Sequence, residues 1–119
     1  MRICIPTASE AGLAASVCCH FGSAPYFTLV DAESGDVEVV RNTHVQHEHG
    51  SCTPTAAVLD LGIGAVVCRG VGWRGLAMLE EQGVPVYRTE NWRAVDALKA
   101  FRAGHLPRAG LEHACRHDP

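Results

Sequence analysis

Three strand-like runs followed by an alternation of helices and strands predict an α/β domain on one mixed five-stranded sheet. Three observations carry that expectation. Early in the chain, two runs rich in branched and aromatic residues are separated only by the turn sequence Glu33-Ser34-Gly35-Asp36. The run Ala65-Val66-Val67-Cys68 is apolar without alternation, as in a strand buried on both faces. Helical spacing is confined to the second half, where it alternates with strands. A hairpin joined to two crossovers puts the first strand at the centre, between the second and the fourth. The expected strand order is therefore 3-2-1-4-5.

Taken in order, Arg2-Ile3-Cys4-Ile5-Pro6 reads as the first strand, ended by a proline that cannot continue a ladder. Residues 7–17 are small, polar and glycine-containing, and predict a long loop leading to Cys18-Cys19-His20. Residues 25–31 and 37–42 are the second and third strands, a hairpin across the turn at 33–36. The histidine-rich stretch 43–54 has no hydrophobic period and predicts a loop. Ala56 to Leu61 is the body of a first helix, with Thr53 or Thr55 as cap, Pro54 suited to a first turn and Gly62 as stop. After the fourth strand, 65–68, Gly70-Val71-Gly72 leads into a second helix over 73–82, with Leu76, Leu79 and Trp73 as its apolar face. A short fifth strand spans 84–87. A third helix spans 92–103, spaced by Val95, Leu98 and Phe101 or Arg102, and Gly104 ends it. From His105 the apolar period is lost, which predicts a mobile tail.

The composition narrows the function classes. A chain of 119 residues suffices for one domain. With 47% apolar and 19% charged residues it can bury an ordinary core. The formal charge of −3, without a basic patch, argues against a nucleic-acid partner. The apolar run at the N-terminus is too short for a secretory signal, and 62–68 is too short to span a bilayer, so a cytoplasmic protein without membrane attachment is expected.

In a reducing compartment cysteine is either a small buried hydrophobe or a ligand. Of the six, Cys4 and Cys68 lie in strand-like runs and read as core, whereas Cys18, Cys19, Cys52 and Cys115 lie in polar surroundings. Two thiols and an imidazole in succession at Cys18-Cys19-His20 favour zinc, copper or iron–sulfur chemistry over magnesium or calcium. The flanking thiols favour His20 as a ligand over a histidine that merely shapes the turn. Successive side chains diverge along extended backbone, so one of Cys18 and Cys19 is structural or the two serve different metals of a cluster.

His44, His47 and His49 read equally as a solvated loop, but His49 and Cys52 form a His-x-x-Cys pair that can close on one metal. Cys52 also stands at a helix opening, where the helix dipole favours the thiolate. His113, Cys115 and His117 belong to the tail and read as bystanders. Gly70 and Gly72 have a turn reading as well as a binding one. The loops after the first and fourth strands nevertheless fall at strand carboxyl ends, where α/β domains bind ligands.

Enzyme readings find little support. A two-metal nuclease gathers several carboxylates at strand ends, and Asp31 and Asp60 have no evident partners in sequence. A cysteine beside its histidine in sequence is poor geometry for a catalytic dyad. Cys-x-x-Cys and phosphate-loop signatures are absent.

Ile3-Cys4-Ile5-Pro6, His20-Phe21-Gly22, Ala24-Pro25-Tyr26-Phe27, His49-Gly50, Gly70-Val71-Gly72 and Phe101-Arg102-Ala103-Gly104 follow one another as in the dinitrogenase iron–molybdenum cofactor biosynthesis proteins. The chain resembles that family over about residues 1–107, which leaves 108–119 as a flexible Cys/His-containing tail. The resemblance implies a ribonuclease-H-like fold and binding rather than turnover, with iron–molybdenum or iron–sulfur clusters carried or assembled. Where members have Gly-Gly-x-Gly followed by Pro and Ala, this chain has Arg69-Gly70-Val71-Gly72-Trp73-Arg74-Gly75. Arg69 and Arg74 put positive charge beside a loop of backbone N–H groups, which suits an anionic cluster. Cys18, Cys19 and Cys52 are thiols beyond the family pattern.

The leading expectation is thus a metallocluster carrier or scaffold with Cys18, Cys19, His20, Cys52 and His49 as metal ligands, and Arg69, Gly70, Gly72 and Arg74 lining the cargo. Its partners are the cluster and a cofactor-assembly or acceptor protein, and a homodimer is one way for two ligand-poor loops to share a cluster. The alternatives are a mononuclear zinc- or copper-handling protein using the same residues, or an interaction module whose cysteines are incidental.

Overall fold

A computed structural model of the chain describes residues 1–42 and 53–110. Strands β1 (Arg2–Thr7), β2 (Tyr26–Asp31) and β3 (Val37–Arg41) come first. Helix α1 (Thr53–Leu59), β4 (Ile63–Cys68), α2 (Trp73–Glu81), β5 (Val86–Arg88) and α3 (Ala94–Arg102) follow. The strands form one mixed sheet in the order β3-β2-β1-β4-β5. β2 runs antiparallel to β1 and β3, while β4 runs parallel to β1 and β5. The expected α/β class, strand order and central position of β1 are all observed.

Alternation along the strands divides the core between two faces of the sheet. Cys4, Leu29, Val66 and Val86 share one cluster with Val58 of α1 and Leu76 and Leu79 of α2. Ile3, Ile5, Val30 and Val67 share the other with Ala94, Ala97 and Leu98 of α3. Because helices cover both faces, residues 65–68 need no polar alternation, and all four are buried.

Cys4 and Cys68 are core residues, as their apolar neighbours suggest. Burial, and secondarily the neighbouring Cys68, pushes the Cys4 thiol far above its ordinary value of 9.0. The native state therefore keeps the Cys4 proton while the unfolded chain releases it, so stability is fully present below that ordinary value and falls as pH rises past it. In Cys4→Ala, denaturant titrations between pH 9 and 11 are expected to show a shallower loss of stability, by up to about 1.4 kcal/mol per pH unit. A slope equal to the parent's contradicts this.

Three local expectations are corrected. The third helix begins at Ala94, not at residue 92, because Arg93 is still extended (φ −102°, ψ 141°) and pairs with Ser16 across an antiparallel bridge. Trp73 is 46% exposed, and the buried face of α2 is carried by Leu76 and Leu79. The chain after α3, expected to be mobile from His105, is held through Ala109 along β5. Arg88 N–H donates to Pro107 O at 2.9 Å and Ala109 N–H to Val86 O at 2.8 Å. Arg108 also reaches Glu80 Oε1 at 2.8 Å. Backbone pairing with an edge strand needs no apolar period, which is why the sequence hides it.

Candidate functional site

The long loop after β1 turns back on the strand it leaves. Ala8 N–H donates to Ser16 O at 2.9 Å, and Cys18 N–H donates to Pro6 O at 3.0 Å. Pro6 cannot donate to a ladder, but its carbonyl still accepts. On its other side the loop is laced to the entry of α3: Val17 N–H donates to Trp92 O at 2.7 Å and Ala94 N–H to Ala15 O at 3.0 Å. Ala15 and Val17 are buried beneath it. Cys18-Cys19-His20 is thus a tip fixed at the carboxyl end of the central strand.

The two thiols have different surroundings, as successive residues on extended backbone should. Cys18 is half-buried and packs against the core cluster of α1 and α2. Burial raises its thiol above the ordinary value, the adjacent Cys19 raises it further, and the Cys19 backbone N–H opposes both. Cys19 is exposed and accepts a hydrogen bond from Arg69 Nη1 at 3.4 Å. His20 is half-buried beside them.

Arg69 directly follows β4, and Phe21 N–H donates to Gly70 O at 2.9 Å. The loops after β1 and β4 therefore meet, as the strand order implies. Trp92, from the loop after β5, joins them: the Arg69 guanidinium carbon lies 3.8 Å from the centroid of its ring. Helical spacing assigns Trp92 to a helix, and no local signal reveals this role. Arg74 does not share that stack and instead lies 5.3 Å from the Trp73 ring centroid, in the first turn of α2. Gly72 is extended (φ −68°, ψ 154°) and caps that helix.

The downstream side of the tip is anchored in the core. Phe21 is 1% exposed, and its ring centroid lies 5.1 Å from that of Phe27. Buried Asn42 donates from Nδ2 to Ala24 O at 2.7 Å and Gly22 O at 3.3 Å, closing the turn between the tip and β2. Asn42 thus fixes the site without reaching its surface, a role the sequence does not mark.

The structure brings Cys18, Cys19, His20, Arg69 and Gly70 together. Cys52 and His49, with His44, His47 and the tail residues His113, Cys115 and His117, lie outside the described residues. Among the described residues no group of three or more His, Cys, Asp or Glu is gathered to hold a metal ion. Asp31 instead accepts hydrogen bonds from the backbone N–H of Glu33 at 2.8 Å and Ser34 at 3.0 Å, which holds its carboxyl below the usual range. Its carboxylate organises the hairpin turn.

Solved structures share this architecture. A Thermotoga protein proposed to be of the NifB type is 31% identical, with a TM-score of 0.81, covering 98% of this chain and 97% of that one. The apo form of the orange protein from Desulfovibrio gigas is 26% identical, with a TM-score of 0.85, covering 92% of each chain. A Methanocaldococcus jannaschii protein proposed to be a dinitrogenase is 13% identical with a TM-score of 0.73, covering 92% of this chain and 95% of that one, a likeness of fold alone. No curated protein matches the chain. The central strand, the thiol tip and the arginine over it all lie within residues 1–104, the span matched by the model of the dinitrogenase iron–molybdenum cofactor family, and the chain belongs to that family.

Proposed function

We propose that this protein binds a sulfur-bridged metal cluster, of the iron–sulfur or iron–molybdenum type, as a carrier or scaffold in cofactor assembly. One observation carries the reading: an exposed thiol, Cys19, stands at the end of the central strand with an arginine on its sulfur. Thiolate is a soft ligand for iron, and a guanidinium beside it offsets the negative charge of a sulfide-bridged cargo. Cys18 and His20 complete the tip, and Cys52 and His49 are the proposed distant ligands. Gly70, Gly72 and Arg74 are, with Arg69, the proposed residues on the cargo side of the loop after β4. The cluster is cargo, bound and released to an acceptor or assembly protein rather than chemically turned over. A site open on one side suits release better than a closed four-ligand cage. Sharing of one cluster by two copies of the chain is part of the same reading.

The sheet order and the family support a ribonuclease-H-like label for the fold. Cysteines in ligand positions fit a reducing cytoplasm, and no helix among the described residues is long and apolar enough to cross a membrane.

The test is anaerobic reconstitution with ferrous iron and sulfide, followed by the visible spectrum and the metal-to-sulfide ratio. Charge-transfer bands with acid-labile sulfide are expected. Colourless protein retaining zinc would favour mononuclear metal handling instead. We take residues 1–107 as the binding domain and the chain from 108 as its extension, with no ligand supplied by 111–119. Deleting residues 111–119, which spares the pairing of Ala109 with β5, should leave loading within about 20% of the parent, since every described contact that seats the tip lies before the cut. Loss of most of the bound iron would assign a ligand role to His113, Cys115 or His117.

A further inference from the structure

We propose that Trp92 is a positioning residue: its indole holds the Arg69 guanidinium over the Cys19 thiol and so sets how firmly the tip retains its cargo. The inference rests on the reading of the tip as the cargo site.

Trp92 is 65% exposed, so core packing does not account for so large an apolar side chain at this place. Its backbone, by contrast, is held tightly. Val17 N–H donates to Trp92 O at 2.7 Å, and the next residue, Arg93, bridges Ser16. Residue 92 is therefore in register with the stretch of chain that delivers Cys18 and Cys19, and its backbone is fixed beside the tip. On that ring lies the Arg69 guanidinium, 3.8 Å from the centroid, while Nη1 of the same group reaches Cys19 Sγ at 3.4 Å.

What holds an arginine decides what it can do. A carboxylate partner would orient the guanidinium but cancel its charge. Among the described residues Arg69 forms no ion pair. An aromatic face orients the flat cation by stacking and leaves its positive charge and remaining N–H groups available. The stack thus presents a cation that no described carboxylate pairs, beside the exposed thiol, where a polyanionic sulfide-bridged cargo would sit. Three loops, after β1, β4 and β5, each contribute one member of it.

The test uses the full chain, loaded with ferrous iron and sulfide and then exposed to a ferrous chelator while the charge-transfer absorbance decays. Arg69→Met should lose the cluster about tenfold faster, as expected for removing a charged hydrogen-bonding partner. Trp92→Leu should lose it ~2- to 5-fold faster, the range of an exposed cation–π contact. The double variant should be no faster than Arg69→Met alone, because Trp92 acts through Arg69. Trp92→Phe, which keeps a ring face, should stay within about twofold of the parent.

A measurement without metal accompanies this. In a Trp73→Phe background, where Trp92 is the only tryptophan, Arg69→Met should shift or brighten the indole emission. Parental retention in Trp92→Leu, full additivity in the double variant, or emission indifferent to Arg69 would each overturn the proposal. If the Cys18→Ser/Cys19→Ser protein fails to load while Trp92→Leu behaves as the parent, only the role of Trp92 falls. If the double-serine protein loads like the parent, the tip is not the cargo site and both readings fall.

Discussion

Replacing Cys18 and Cys19 together by Ser is expected to abolish stoichiometric loading of iron and sulfide while leaving the far-ultraviolet circular dichroism of the parent. A serine hydroxyl is close in size to a thiol but is not deprotonated near neutral pH and is a poor ligand for iron. The fold should tolerate the change because neither side chain belongs to the deep core. Cys19 is exposed, and Cys18 is half-buried at the margin of the cluster formed with α1 and α2. The backbone bonds that seat the tip, Cys18 N–H to Pro6 O and Phe21 N–H to Gly70 O, involve no side chain and survive. The single variants should differ. Cys19→Ser loses most of the bound iron, whereas Cys18→Ser loses less, since its thiol is partly taken up by packing and burial holds it toward the protonated form. Iron and sulfide determinations on the desalted proteins decide this, and parental loading in the double variant would move the site elsewhere.

The largest stability effect is expected at Phe21→Ala. Phe21 is 1% exposed, packs on Phe27, and follows His20 directly, so it ties the tip to the core. Removing a fully buried phenyl ring costs about 3–5 kcal/mol, the transfer term plus the cavity left behind. That is a large share of the ~5–15 kcal/mol that holds a typical domain folded. Thermal unfolding followed by circular dichroism should show a midpoint lower by on the order of 10 to 20 °C. Loading should fall as well at temperatures where the variant is folded, because the thiols lose the anchor beneath them. Phe21→Leu, which refills most of the volume, should cost less than half as much. A midpoint within about 2 °C of the parent would show that the ring is not the anchor.

Loops distant in sequence met where the strand order said they should. Once β1 is central and β4 its parallel neighbour, the segments after Thr7 and Cys68 must emerge at the same end of the sheet. That is why Cys18-Cys19-His20 and Arg69-Gly70 could be paired in advance. Which arginine would face the thiol was not legible. Arg69 and Arg74 read alike in sequence, yet one directly follows β4 and lies over Cys19 while the other stands in the first turn of α2 beside Trp73. Spacing alone assigns Trp92 to a helix, because its pairing partner, the segment 15–17, lies more than seventy residues earlier.

What the sequence determined by itself was the periodic part of this protein: the strands, the helices, the mixed sheet, and Cys4 and Cys68 as core. Burial on one face or two repeats every two residues in a strand and every three or four in a helix, so it leaves a local record. What only the tertiary structure decided was the surface chemistry at the sheet's carboxyl end. There Cys18 turns inward and Cys19 outward, Trp92 supports Arg69, Asn42 closes the turn behind the tip, and Pro107 to Ala109 line the edge of β5. Each of these contacts joins separate segments of the chain through one residue or a couple of backbone bonds, and contacts so few have no period to read.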